Sequence, residues 1–372
     1  MTPVDQIPYR RLFPWLHLFR SISLAFSARQ LIVAAIAICV LDSGHIVDGV
    51  LTDRTSIAAV IGWEVSYETR LISDQPLRWP YTLISDPGRP WGDAILFAGS
   101  AFVRKATLTE RLANILRSCW SIAVWALFGL ALCRLAARRL TRDEQGSFRK
   151  SIQFGISRWF HGVVAPFLPA AAALVVMIPA LIVLFFVRVP GIGPIIAVLS
   201  SPLILICCLI ASYLLIAVAI GWPLMVAAIA MDDCDGFGGL SRSYSLWTGR
   251  PWHFAWCWSV AAIVGVIVLF LTTVCLSWTI ETATLAIQIT AGDGTGATAS
   301  LTAIRCLLGF LSRAYFISFF WTTATIVYAL LRQSVDGMPM DHMAADDDER
   351  PRRDPLPVVG IPAMEPPEGI RA

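Results

Sequence analysis

The sequence predicts an all-α fold: a polytopic membrane helical bundle of about six transmembrane helices in three hairpin repeats, with cytoplasmic interfacial helices. Three observations lead there. Hydrophobic residues make up 56% of the chain and charged residues 15%, against about 25% charged in an ordinary soluble domain. The apolar residues come in long unbroken runs, and roughly 20 of them cross a bilayer. A short basic motif also recurs ahead of apolar runs: Arg20-Ser-Ile-Ser-Leu, Lys150-Ser-Ile-Gln-Phe and Arg242-Ser-Tyr-Ser-Leu. The last two copies continue in register, with Arg158-Trp-Phe-His161 matching Arg250-Pro-Trp-His253.

Residues 1–29 read as a cytoplasmic segment with an interfacial helix. The run from Leu31 passes into Asp42-Ser-Gly-His45 without a small-residue cleavage site, so it reads as a retained span and not a signal peptide. The membrane domain is 30–332, with spans expected near 30–50, 117–137, 163–187, 203–231, 254–279 and 312–331. Pro223 is expected to kink the fourth, because an interior proline removes a helix hydrogen bond.

Arg138, Arg139, Arg142, Arg149, Lys150 and Arg158 cluster in 138–162, which the positive-inside rule assigns to the cytoplasm. The turn 188–194 holds one arginine and fits the outer side. Both termini then lie in the cytoplasm and the chain in the inner (plasma) membrane. Segment 51–111 is an extracytoplasmic loop. It is long enough to translocate regardless of its own charge, and Thr107-Leu-Thr-Glu110 marks a capping box at its end.

Segments 138–162 and 232–253 read as amphipathic helices in the inner interface. Phe148, Ile152, Ile156 and Trp159 recur at helical spacing in the first, and Phe237, Leu240, Tyr244 and Trp247 in the second. Gly249 and Pro251 would end the second helix and start the next. The tail 333–372 is proline-rich and acidic, too poor in apolar residues to offset its ordering entropy, and is expected to be disordered.

Net charge is only +3 and no basic run is interleaved with aromatics, so no nucleic-acid partner is expected. Nine cysteines, several inside apolar runs and none at C-x-x-C spacing, give neither a disulfide framework nor a zinc site. No G-x-S-x-G, H-E-x-x-H or P-loop occurs. No catalytic residue, metal site or cofactor is assigned.

Several polar groups stand out. Asp42, His45 and Asp48, three apart, share about a third of a helix's circumference, as cation binding or a proton relay requires. The plainer alternative is polar residues at the outer interface. Arg305 and Arg313 share a helix face on the outer approach to the last span, either as a substrate site or snorkelling to headgroups. Asp232-Asp233-Cys-Asp235-Gly236 fails the ligand pattern of a calcium loop, and its acids are expected to cap the helix beginning at Phe237. Arg242, Ser243, Tyr244, Trp247, Arg250 and Trp252 form a cytoplasmic motif with a structural or partner-binding role.

Three stretches carry a resemblance: Leu18-Phe-Arg-Ser-Ile-Ser-Leu-Ala25, Arg134-Leu-Ala-Ala with Leu140-Thr-Arg-Asp-Glu144, and Leu240-Ser-Arg-Ser-Tyr-Ser-Leu-Trp-Thr-Gly-Arg-Pro-Trp252. Over most of residues 18–280 the chain resembles uncharacterised bacterial multi-pass membrane proteins. It is more distantly similar to the helical membrane domain associated with glycerophosphodiester phosphodiesterases. The resemblance implies a six-span module and no activity. The phosphodiesterase barrel, with its His-Arg-Gly, has no counterpart here.

The expected function is a non-enzymatic membrane-organising or regulatory module, with membrane lipids and another membrane or cytoplasmic protein as partners. A transporter or channel for a lipid or small solute, and a membrane-embedded hydrolase built on the Asp42 cluster, are the alternatives.

Overall fold

The computed structural model describes residues 14–51, 108–142, 146–291 and 294–337. Most of segment 51–111, expected as an extracytoplasmic loop, and all of 338–372 lie outside the described residues. A 3-10 turn at Pro14–Phe19 leads into α1 (Arg20–Ala25), followed by α2 (Ala28–Leu51), α3 (Leu108–Arg142), α4 (Phe148–Phe186), α5 (Gly193–Asp232), α6 (Gly236–Gly249), α7 (Pro251–Ala291) and α8 (Thr295–Asp336). Every described element is helical. Five helices are long and apolar enough to cross a membrane, or six if the first turn with α1 and α2 counts as one bent span.

The chain bends by 74° between Ala25 and Ala28. Ser27 starts α2 on the far side, where its carbonyl accepts from Leu31 N at 2.9 Å. The helix of the second span starts at Leu108, directly after the threonine of the expected capping box, and its apolar span at Ser118.

The separation of an interfacial helix at 148–161 from a span at 163–187 is corrected. Phe148–Phe186 is one helix, which runs on through Gly162, Pro166, Pro169 and Pro179. A break does separate α6 from α7, where Gly249 ends one helix and Pro251 starts the next with Arg250 between them. The fourth span begins at Gly193, ten residues earlier than expected, and stays helical through Pro202 and Pro223. Gly191 sits at φ +89 in the preceding turn, and a Cβ on Gly193 would lie 2.1 Å from the carbonyl oxygen of Val187. Only glycine fits so tight a reversal. At the other end α8 runs to Asp336, four residues into the segment expected to be disordered.

At 1.5 Å per residue, α4, α5, α7 and α8 are each about 60 Å long, twice the hydrocarbon thickness. Packing divides them lengthwise. The core lies where the near halves meet, around Trp125 of α3, Trp222 of α5 and Trp321 of α8, whose ring centroids stand 6.1 Å apart in the two pairs that share Trp321. Val33, Ala37 and Ile38 of α2 join this cluster. The far halves of α4 and α5 instead present Leu174, Leu181, Phe185, Val198, Leu199 and Leu209 outward. Apolar side chains on that scale are stable in lipid and not in water. Trp256 and Trp278 both face outward on α7. They are 22 residues, hence about 33 Å, apart, the spacing of two interfacial aromatic girdles.

Small residues form the face that α4 turns to the bundle. Ser151, Gly155 and Gly162 are buried, whereas Ile156 and Phe160 are exposed and Trp159 is half-exposed. A Cβ on Gly155 would come 2.6 Å from the Leu127 carbonyl oxygen, and one on Gly162 3.0 Å from Leu130 Cδ1. In lipid there is no hydrophobic gain in hiding the large residues, so close backbone approach through small ones decides the face.

Candidate functional site

Charge collects at the C-terminus of α5. A helix ends with unsatisfied carbonyls and a partial negative charge, and here arginines from four other helices close on it. Arg134 of α3, only 1% exposed, donates through Nη1 to the Ala230 carbonyl at 2.8 Å, and its guanidinium lies 4.6 Å from the centroid of the Phe154 ring. Arg158 of α4 donates through Nε to Asp233 Oδ1 at 2.9 Å. Arg242 of α6 and Arg332 of α8 both pair with Asp232, which also accepts from the Tyr328 hydroxyl. The Asp232 side chain is 3% exposed. Asp336 extends the cluster with a 3.5 Å contact to Arg332.

The three acids of the 232–235 segment therefore do different work, which corrects their reading as shared caps. Asp232 carries the tertiary ion pairs. Asp233 takes the left-handed conformation at φ 52 and returns its N–H to the Ile229 carbonyl at 3.1 Å; a short polar side chain tolerates this geometry. Asp235 alone caps α6, accepting from Gly238 N at 2.8 Å, and the helix starts at Gly236.

Between them sits Cys234. Burial pushes its thiol above the ordinary cysteine range, and the nearby Arg242 guanidinium only partly opposes this. The folded thiolate fraction at neutral pH is then below that of a free cysteine. In a variant keeping Cys234 as its sole cysteine, maleimide labelling should be slow at pH 7.5 and should still be rising at a pH where an ordinary thiol has levelled off. A profile that levels at or below the ordinary value would contradict this placement.

α6 rests on α5 through Gly239, Ser243 and Leu246, all buried. Ser243 Oγ donates to the Gly221 carbonyl and Tyr244 OH to the Leu214 carbonyl, each at 3.1 Å. Burial raises the Tyr244 phenol to about 12. Trp247 stacks on Tyr213, with centroids 5.7 Å apart. Of the sequence motif, Arg242, Ser243, Tyr244 and Trp247 thus converge on α5. Arg250 and Trp252 do not: Arg250 is exposed, and Trp252 is 87% exposed on the first turn of α7. The two tryptophans should separate cleanly. Trp247→Ala should cost about 2 kcal/mol, whereas Trp252→Ala should leave detergent-solubilised thermal stability within about 0.5 kcal/mol of wild type. Equal losses would show the assignment to be wrong.

On the other face, Arg313 of α8 grips Asp42 of α2, with nitrogen–oxygen distances of 3.1 and 3.2 Å. Two polar groups that stood apart in the sequence thus form one bidentate pair. Arg305 does not join it, and its Nε has no partner among the described residues. The side chains of His45 and Asp48 lie outside the described residues. Among those described, no group of three or more potential metal ligands is found.

Sequence reasoning missed Asp232, Arg134 and Arg332 as a unit. The available signal was Arg134 itself, an arginine inside a span, which requires a buried partner. Compared with known proteins, the chain matches no family model, no curated protein and no solved structure.

Proposed function

We propose that this chain is a non-enzymatic module of the inner membrane that organises or regulates a membrane process through the face where its charged helix ends meet. The observation that carries this reading is the arginine-ringed end of α5. Its guanidinium groups are engaged by carboxylates and main-chain carbonyls in a lock joining five helices. Such an arrangement stabilises a surface, since each of these carboxylates and guanidinium groups is held by a partner. Phe237 and Trp252 stand exposed beside it as aromatic contacts for a partner. The positive-inside rule makes this the cytoplasmic face, with both termini on that side. The burial of Ser21, Ser151 and Ser243, the serine of each motif copy, supports the three-hairpin repeat.

Transport of a lipid or small solute is the second reading. The Asp42–Arg313 pair favours it, since paired charges between membrane helices mark pathways. The same pair weighs against a hydrolase, because it engages the carboxylate such an enzyme would use.

Native mass spectrometry of the chain, extracted with its surrounding lipid, tests these readings. A stoichiometric protein partner is expected, lost from the Phe237→Ala/Trp252→Ala variant at unchanged thermal stability. A stoichiometric solute without a protein, released by Arg313→Ala, would replace the organising reading with the transport one.

A further inference from the structure

We propose that the far half of α7 is a dimerisation face, covered by the same helix of a second copy of this chain. Leu271, Cys275, Trp278, Thr282, Leu285 and Ile289 are all exposed, and the steps between them alternate between four residues and three. A row at that spacing repeats every seven residues, and its natural complement is another helix crossing at a shallow angle. Ile280, on the opposite side of α7, is buried. The polar groups of the row are already satisfied. Thr282 Oγ1 donates to the Trp278 carbonyl at 2.9 Å, and Thr279 Oγ1, beside the row, to the Cys275 carbonyl at 2.8 Å. Closing the row off from water therefore strands no hydroxyl donor. Glu281 and Gln288, exposed and seven residues apart, border it on one side.

Lipid does not cover α7 along its whole length. Trp252 and Ile289 are 87% and 83% exposed. They are 37 residues, hence about 55 Å, apart, whereas a bilayer with its headgroups is about 40–45 Å thick. With Trp256 and Trp278 at the two interfaces, Leu285 and Ile289 stand about 10 and 17 Å beyond the second. Apolar side chains in that position meet water unless protein covers them. A second copy supplies a matched helix. Both copies insert in the same orientation, so a two-fold axis along the bilayer normal sets their α7 helices parallel, with each residue of the row against its own equivalent. The two Glu281 side chains then fall on opposite sides of the seam, as equivalent flanking positions do in a parallel pair, and do not repel. Within one copy, Val264, Val268 and Leu269 of α7 pack on Tyr315, Phe316 and Phe319 of α8, which leaves the row open.

Disulfide trapping in native membranes tests this, with the full chain carrying Cys275 as its sole cysteine and Cu(II)–phenanthroline as the oxidant. Equivalent seam positions of a parallel pair come within disulfide reach, so a cross-linked species of twice the chain mass is expected. Sole-Cys39 and sole-Cys119 chains, whose thiols are exposed on α2 and α3, should remain monomeric under the same conditions. Leu285→Lys/Ile289→Lys in the sole-Cys275 chain should abolish the cross-linked species. Both side chains are more than half exposed, so the monomer should unfold with its parent. Should that variant fail to fold, trapping at Cys275 alone decides, because it leaves the rest of the row unchanged. Equal trapping at Cys275 and Cys39 would overturn the proposal. So would a sole-Cys275 chain that stays monomeric, and a membrane-permeant maleimide then identifies the true cover: rapid labelling assigns the face to lipid, protection to another protein segment. The partner-capture experiment stands or falls separately, because Phe237 and Trp252 lie outside the row and a second copy is recognised by its mass.

Discussion

Asp232→Asn should be the most damaging conservative substitution in the chain, lowering stability by about 3–5 kcal/mol. The carboxylate is almost fully buried and holds Arg242, Arg332 and the Tyr328 hydroxyl together. Arg332 is itself only 13% exposed. An amide would leave a guanidinium in the packed base without its counter-charge, and the cost of an uncompensated buried charge is what makes breaking such a pair expensive. Asp336→Asn is the matched control. Its side chain is half-exposed and contacts Arg332 at 3.5 Å, so the loss should stay below about 0.5 kcal/mol. Thermal unfolding in detergent, read alongside a Asp232→Leu/Arg242→Met/Arg332→Met variant, separates two meanings of the result. If the triple variant recovers stability, the penalty in Asp232→Asn was unpaired charge. If Asp232→Asn unfolds with wild type, the lock does not exist as described.

Gly155→Ala should destabilise by about 1–3 kcal/mol, although alanine is the better helix former by about 1 kcal/mol. The added methyl would meet the Leu127 carbonyl oxygen at 2.6 Å. That atom belongs to the α3 backbone and cannot rotate away, so α3 and α4 must separate, and Arg134 and Phe154 with them. Gly155→Leu should prevent correct assembly. Gly296→Ala on α8 has nothing within 4 Å of the new methyl, and there the propensity gain should appear unopposed as a small stabilisation. A destabilised Gly296→Ala beside an unaffected Gly155→Ala would mean that the α3–α4 contact is looser than these distances require.

Much of the helical architecture was legible because its causes are local. Apolar runs of bilayer length, the Gly249–Pro251 break and the capping acid before Gly238 are each read within a few residues. What escaped the sequence is tertiary. Asp232 lies 10 residues from Arg242 and 100 from Arg332, and nothing in either interval announces the pairing. Asp42 and Arg313 were each visible as polar groups near the membrane, but their union spans 271 residues. The inward face of α4 could not be read from apolar periodicity, which tracks water avoidance, whereas helices facing lipid bury what packs closest. The continuity of α4 was missed because amphipathic and uniformly apolar stretches differ in surroundings and not in backbone preference.

The pairing at Asp232 has a consequence for the order of synthesis. When α5 has been made, its terminal carboxylate has no guanidinium from the chain downstream. Arg242 follows ten residues later and supplies the first, but Arg332 belongs to α8, the last of the described helices. The nascent protein therefore carries Asp232 with one of its two guanidinium partners, and without the Tyr328 hydroxyl, through the making of α6, α7 and nearly all of α8. The last turns of α8 complete the set, so a chain interrupted before Arg332 leaves that helix end incompletely packed. A quality-control protease able to sense an incompletely packed helix end would have, at that one position, a signal of whether translation had passed α8.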